Sequence, residues 1–341
     1  VKDRVRLQPN HVYICPPGEY LAAINGTLQI THTADDNRKQ LPIDYFLKSL
    51  AQDRGDRAIG IILSGTGTDG SLGLKAVKAA CGMVMAQDPK TAKYAGMPTS
   101  AIATGQVDYI LAAGKMPAQL VAYISGSYHN PRANESASGT ISEQPLQEIF
   151  ILLRDRTGND FSSYKTHTIG RRIERRMNLH QIATHEEYVR YLQNNSAEID
   201  SLFRELLINV TNFFRDADAW KALATEIDSL VMEHDTETPL RAWVPGCATG
   251  EEAFSLAIAI CESMRRTQRK HDVQIFATDL DESSIAFARV GRYPRGIAAE
   301  LPADILARYF HADEENYCIN NAVREMVVFA PHNLIKDPPF T

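Results

Sequence analysis

Two short apolar runs each end in a glycine-rich turn that opens directly into a helical stretch, and this repeated plan constrains the fold most. The first run is 58–63, followed by Gly65-Thr66-Gly67-Thr68-Asp69-Gly70 and helical spacing over 72–80. The second contains Ala242-Trp243-Val244, followed by Gly246-Cys247-Ala248-Thr249-Gly250 and helical spacing over 251–265. A short continuous apolar run suits a strand buried on both faces, as in a parallel sheet, and parallel strands need helical crossovers. Further strands are predicted at 83–86 and 107–111 around the first turn, and at 273–277 and 326–329 around the second, with a helix at 282–290. Both regions therefore read as α/β. Upstream, Asn25-Gly26 between alternating runs predicts a two-residue hairpin over 20–31. A strand is expected at 12–14 and a helix at 43–50.

Residues 125–145 separate the two regions. They read SGSYHNPRANESASGTISEQP, with almost no large aliphatic side chain, as expected of a flexible linker. The division is thus an α/β part at 1–124, a helical subdomain at 146–235 and a second α/β part at 236–341. The chain starts at Val1 rather than Met and stops at Thr341 after two prolines; both ends read as cut.

Composition narrows the function classes. Apolar residues at 44% and charged residues at 23% exclude disorder, collagen and a coiled-coil rod. A net charge of −6 argues against nucleic acid as a bulk partner. No apolar run approaches the roughly 20 residues of a membrane span, and no signal peptide is visible. Five scattered cysteines without metal spacing read as reduced thiols. A cytoplasmic protein without metal or membrane insertion is expected.

The first turn is formally GxGxxG, with Asp88 closing the next strand. Dinucleotide binding is therefore one reading. A carboxylate at Asp69, inside the loop, would repel a pyrophosphate, and an acid there suits a hydrolase that orients a histidine. The plain alternative is a tight turn whose Asp69 caps the helix. Farther on, KTHTIGRRIERRM at 165–177 forms a helix with Ile169, Ile173 and Met177 on its core side. Arg171, Arg172, Arg175 and Arg176 share the other side. They form either a solvated charged face or a dock for carboxylate or phosphate. The second turn has no lysine, which disfavours a triphosphate, and Asp279 ends the following strand where such folds hold ribose hydroxyls. Ribose without phosphates, near a cationic centre, suits S-adenosylmethionine; NAD and plain packing remain alternatives.

Ordered motifs carry a resemblance. VYICPPG at 12–18, IGIILSGTGTDG at 59–70, AQDP at 86–89 and GMPTSAI at 96–102 resemble the catalytic half of the CheB-type chemotaxis protein-glutamate methylesterases. The resemblance implies that Asp69 is the triad acid, and that Met97 and Pro98 lie beside the active site. The family's Ser and His motifs have no match here; Ser64, Ser71 and His11 lack their context. No methyl-ester hydrolysis is expected of the chain as it stands.

RRIERRM at 171–177, TNFFR at 211–215, PGCATGEEAFSLAI at 245–258, FATDLDESSIAFAR at 276–289 and PHNLIKDPPF at 331–340 resemble the CheR-type chemoreceptor glutamate methyltransferases. That resemblance implies an all-helical subdomain and a Rossmann-like sheet binding S-adenosylmethionine, with S-adenosylhomocysteine as product. By motif, the cofactor contacts are Asn209, Thr211, Arg215, Gly246, Glu252, Asp279, Asn333 and Leu334. Arg171, Arg172, Arg175 and Arg176 fall on the receptor-docking surface. The family continues with a further strand and an Asn-containing loop that have no match here. The expected whole is a fused methylesterase–methyltransferase of chemotaxis, cut at both ends. Its partners would be chemoreceptors and other signalling domains of a longer chain. The rival reading is a catalytically incomplete sensory or scaffold module.

Overall fold

The structure is a computed structural model that describes residues 3–31, 41–125, 143–207, 211–313 and 316–338. Two compact units divide the chain, Val1–His32 with Pro42–Ile208, and Thr33–Leu41 with Asn209–Thr341. Most of the expected linker and Asn209 lie outside the described residues.

The first unit opens with β1 (Val5–Arg6), β2 (Tyr20–Ile24) and β3 (Thr27–Thr31). Strands β2 and β3 pair antiparallel around Asn25 and Gly26, both at positive φ (50° and 73°), as the right-handed twist of a two-residue hairpin requires. The run at 12–14 forms no strand, and Val12 and Ile14 are exposed. Its place beside the hairpin is taken by β1, which pairs with β3.

Then follow α1 (Pro42–Arg54), β4 (Ile59–Ile62), α2 (Ser71–Ala79), β5 (Met83–Gln87), α3 (Gly96–Ala103), β6 (Tyr109–Leu111) and α4 (Met116–Ile124). Strands β4, β5 and β6 form a parallel sheet in that order, and every residue of β5 is buried. Leu47, Ile62, Leu74, Val77, Val84 and Ala101 fill one core, and Met83, Met85, Met116, Tyr123 and Leu179 another. Leu179 belongs to the helical subdomain of α5 (Glu143–Thr157), α6 (Thr166–Leu179), α7 (His185–Asn194) and α8 (Ser196–Leu206). Ile169, Ile173 and Met177 of α6 enter the subdomain's own core with Leu153, Tyr188 and Leu202.

The second unit runs α9 (Ala217–Glu233), β7 (Leu240–Pro245), α10 (Glu251–Thr267), β8 (Val273–Asp279), α11 (Glu282–Val290), β9 (Arg292–Pro294), α12 (Ala303–Tyr309), β10 (Phe310–Ala312), β11 (Asn316–Ile319), α13 (Asn321–Arg324) and β12 (Val327–Pro331). Helix α9 gives Ile227 and Val231 to the core of this unit. Strands β12, β8 and β7 form a parallel sheet with β8 central, in register Pro245↔Thr278 and Pro331↔Asp279. The ends of all three strands thus share one edge, where open α/β sheets take ligands. Sequence reading missed the antiparallel set β10-β11-β9, whose strands are three or four residues long and show too little alternation.

Candidate functional site

The loop after β7 is built around backbone conformations that glycine favours. Gly246 (φ 69°) and Gly250 (φ 93°) lie in the left-handed region, and so does Ala248 (φ 45°). At Gly250 the reason is partly packing, since a Cβ would come within 2.9 Å of Ala288 Cβ and 3.2 Å of Phe329 Cε1. At Gly246 a Cβ would meet nothing within 4 Å, so the backbone there borders open space. The loop is held from beneath. Asp279, 8% exposed, accepts from Ala248 N–H at 2.8 Å with Oδ2 and from Asp281 N–H at 2.9 Å with Oδ1. Cys247 N–H donates to Thr278 O, and the buried Tyr293 hydroxyl donates to Thr249 O at 2.8 Å.

The other expected cofactor residues cluster partly here. His332 N–H donates to Asp279 O at 2.9 Å, which puts the 332–334 turn beside Asp279 at the same sheet edge. Asn333 Oδ1 accepts from Ile335 and Lys336 N–H groups, and Leu334 is 57% exposed. Glu252 is exposed on the first turn of α10. The 211–215 segment is pinned to α10 through Phe214 N–H donating to Ser255 Oγ, whose hydroxyl donates to Glu251 O. Phe213 beside it is buried against Tyr293 and Phe310, Thr211 is half-buried and Arg215 is exposed. Asn209 lies outside the described residues. Burial first, then the nearby Asp279 charge, pushes the Cys247 thiol up to about 12, so it remains a neutral filler. Tyr293, which secures this loop, and Ser255, which holds the 211–215 segment, carry no signal in the sequence that marks them.

The first glycine loop is closed over Gly65. Gly65 N–H donates to Tyr94 O, Met97 N–H donates to Gly65 O, and a Cβ on Gly65 would lie 2.2 Å from Met97 Sδ. Gly96 abuts Gly67, where a Cβ on Gly96 would be 3.0 Å from Gly67 N. Packing thus fills the space over Gly65 and Gly70, whereas Gly67 (φ 81°), where a Cβ would meet nothing within 4 Å, borders open space. Asp88 accepts from Lys90 N–H in the next turn.

Asp69 caps a helix, but not the one it precedes. Its oxygens accept from Ile43 N–H at 3.1 Å and Asp44 N–H at 2.9 Å, orphan donors in the first turn of α1. In return Asp44 Oδ1 accepts from Gly73 N–H at 2.6 Å in the first turn of α2. Two helix N-termini thus exchange carboxylates. Burial, with the Asp69 charge adding to it, raises the Asp44 pKa to about 7. Ser64 Oγ accepts from Tyr94 N–H, Ser71 is buried and His11 is exposed. Among the described residues no imidazole hydrogen-bonds Asp69.

The arginine helix departs from a solvated charged face. Arg175 is 1% exposed and Arg172 8%. Arg175 donates to Gly82 O at 2.8 Å, to Asp108 at 2.5 Å and to Glu205 at 2.9 Å. Arg172 donates to Lys78 O and Ala79 O, both at 3.1 Å, and Arg171 reaches Ala80 O at 3.5 Å. These carbonyls are the C-terminal end of α2 and the turn after it, where a helix leaves acceptors unsatisfied and its dipole is negative. Lys78 Nζ pairs with Asp108 and Glu205 in the same cluster. Burial opposes ionisation of Asp108 and Glu205, yet the Arg175 and Lys78 charges hold both below the usual carboxylate range. Arg176 instead pairs with Glu198 in the helical subdomain, 14% exposed at its side chain. The i,i+4 spacing identified one shared face; it could not show that α2 stands opposite.

Among the described residues, no group of three or more His, Cys, Asp or Glu could hold a metal ion, and no helix is long and apolar enough to cross a membrane. Comparison with known proteins gives three family matches. Residues 1–120 match CheB methylesterase, 144–207 the all-alpha domain of CheR methyltransferase, and 209–341 its S-adenosylmethionine-binding domain. An uncharacterized 104.1 kDa protein of Rhodobacter capsulatus is 37% identical over 362 residues, covering 100% of this chain and 38% of that protein. The chain therefore spans well under half of that relative. A chemotaxis protein methyltransferase of Listeria monocytogenes is 29% identical over 55% of this chain and 69% of its own. A protein-glutamate methylesterase/protein-glutamine glutaminase of Paraburkholderia xenovorans is 37% identical over 35% of this chain and 34% of its own. One polypeptide thus joins a segment that matches CheB methylesterase to segments that match both domains of CheR methyltransferase.

Proposed function

We propose that this chain serves chemotaxis, its residues 209–341 directing methyl transfer from S-adenosylmethionine to glutamate side chains of chemoreceptors and its residues 1–120 contributing to hydrolysis of the resulting esters. The observation that carries the reading is the open Gly246 loop, fixed by Asp279 at the edge where β7, β8 and β12 end. The donor set fits such a cofactor. Gly246 leaves room for close approach to the backbone, Asp279 and Glu252 supply carboxylates for hydroxyls or a cation, and Arg215 supplies a guanidinium for a carboxylate. Thr211, Asn333, Leu334 and Asn209 complete the set. When bound, the cofactor supplies an electrophilic methyl group on a sulfonium, with S-adenosylhomocysteine as the product.

The chain's own task is then positioning. A glutamate γ-carboxylate with a pKa near 4.3 is already ionised at pH 7, so no side chain need remove a proton. Holding the acceptor in line and keeping water away accounts for the rate. In the methylesterase part Asp69 is the acid that would orient an imidazole, while its backbone contacts keep it in place. Docking of acidic receptor segments on α6, through Arg171, Arg172, Arg175 and Arg176, belongs to the same reading, as does action in the cytoplasm.

The test is incubation of the folded chain with methyl-labelled S-adenosylmethionine and a receptor signalling fragment. Base-labile label on glutamate is expected. A chain that binds the cofactor yet labels no receptor fragment would favour a scaffold role instead.

A further inference from the structure

The cluster around Arg175 joins a helix of the methyltransferase segment to a helix of the methylesterase segment within one compact unit. On the methylesterase side stand the carbonyls of Lys78, Ala79, Ala80 and Gly82, with Lys78 and Asp108; on the other stand Arg171, Arg172, Arg175 and Glu205. Tyr109 adds a hydroxyl bond to Leu179 O at 2.7 Å, and Leu179 packs with Met83, Met85 and Tyr123. The arginine face is therefore filled by a helix C-terminus flanked by a carboxylate. An acidic helical segment from outside would offer the same chemistry.

We propose that the methylesterase part is an internal occupant of the α6 arginine face, so that an acidic partner docks there only by displacing it. The inference rests on α6 as the docking helix and adds how access to it is controlled. Three cations of the cluster share two carboxylates and the negative end of α2. Arg172 and Arg175 already donate to fixed backbone and carboxylate acceptors. A competing carboxylate gains little unless those contacts open together.

Cys81 provides a reporter independent of any partner. It is buried between Ala80 and Gly82, whose carbonyls α6 grips. The experiment follows the alkylation rate of Cys81 by peptide-resolved mass spectrometry, alongside anisotropy of a labelled Glu/Ala helical peptide. Asp108→Asn removes one acid of the cluster while leaving an oxygen for Val84 N–H. It should speed Cys81 alkylation and tighten peptide binding, each about tenfold. Should Asp108→Asn fail to fold, Tyr109→Phe breaks the bond to Leu179 O, together with a side-chain hydrogen bond to Gln119 in the methylesterase part, and should act in the same direction, more weakly. Saturating peptide should also speed Cys81 alkylation in the unaltered chain, and Arg171→Glu with Arg172→Glu should abolish binding in the Asp108→Asn background.

Peptide that binds through these arginines without exposing Cys81 overturns the displacement and leaves docking on α6 standing. Peptide that ignores a variant whose Cys81 is open overturns both. An unchanged Cys81 rate in Asp108→Asn and Tyr109→Phe overturns the occupancy itself.

Discussion

The two glycine loops follow one local plan and differ at their first glycine. Each comes off a parallel strand and opens a helix whose cap is a glycine at φ 93°. Yet Gly65 is covered by Met97, while Gly246 faces open space. Their acids differ too. Asp69 turns away to the start of α1, whereas Asp279 reaches back beneath the loop of the preceding strand to hold Ala248 N–H. The motif specifies the turn; the neighbours decide whether any ligand can approach the backbone. A segment 30 residues downstream closes one loop, and nothing in the spacing of glycines announces it.

The largest expected effect lies in α1, beside the first loop. Asp44 has its pKa raised to about 7 against an unfolded value near 3.9. A raised acid favours folding when protonated, so this contribution is full below pH 4 and is lost as pH rises through 7. The gap amounts to about 4 kcal/mol at most. Asp44→Asn keeps the acceptor for Gly73 N–H and should flatten that slope, leaving the variant more stable than the parent at pH 8. Amide exchange of β5, read between pH 5 and 8, measures it. A slope unchanged in the variant would show that Asp44 is not its source.

Next come the capping glycines. Gly70→Ala and Gly250→Ala each force a left-handed alanine into packed surroundings, with a Cβ 2.4 Å from Ile62 Cδ1 and 2.9 Å from Ala288 Cβ respectively. Each should cost about 3 kcal/mol, summing left-handed strain and overpacking. Denaturation of the two variants checks that the loops agree here.

At the first glycine they should part. Gly65→Ala should destabilise the first unit by about 1–2 kcal/mol as flexible Met97 moves aside, without touching cofactor affinity. Gly246→Ala should cost only about 1 kcal/mol of strain but weaken S-adenosylhomocysteine binding roughly tenfold, about 1.4 kcal/mol, by filling the open space. Equal affinities in parent and Gly246→Ala would break the distinction. The smallest effect is expected of Glu252→Gln, below about threefold in affinity, because an exposed charge is screened.

Much of this was legible in the sequence. The Asn25-Gly26 hairpin, the strands around both loops and the helix at 282–290 follow from turn chemistry and periodicity, which are local. The exchange between Asp44 and Asp69, the arginines buried against α2 and the roles of Tyr293 and Ser255 were not legible. Each joins residues far apart in sequence, and a carboxylate or guanidinium reads the same whether it meets water or a helix end. The run at 12–14 erred the other way, since its alternation suits a strand but no neighbouring ladder takes it.

The central claim is that the open loop above Asp279, and not the one at Asp69, holds the cofactor. A calorimetric titration of S-adenosylhomocysteine into the parent chain, Asp279→Ala and Asp69→Ala tests it directly. One site is expected in the parent and in Asp69→Ala with matching affinity. Asp279→Ala should lose at least about 100-fold, since two hydrogen bonds to a charged group, at about 1.5–3 kcal/mol each, hold the loop in place. Undiminished binding by a folded Asp279→Ala, or loss of binding in Asp69→Ala alone, would contradict the account.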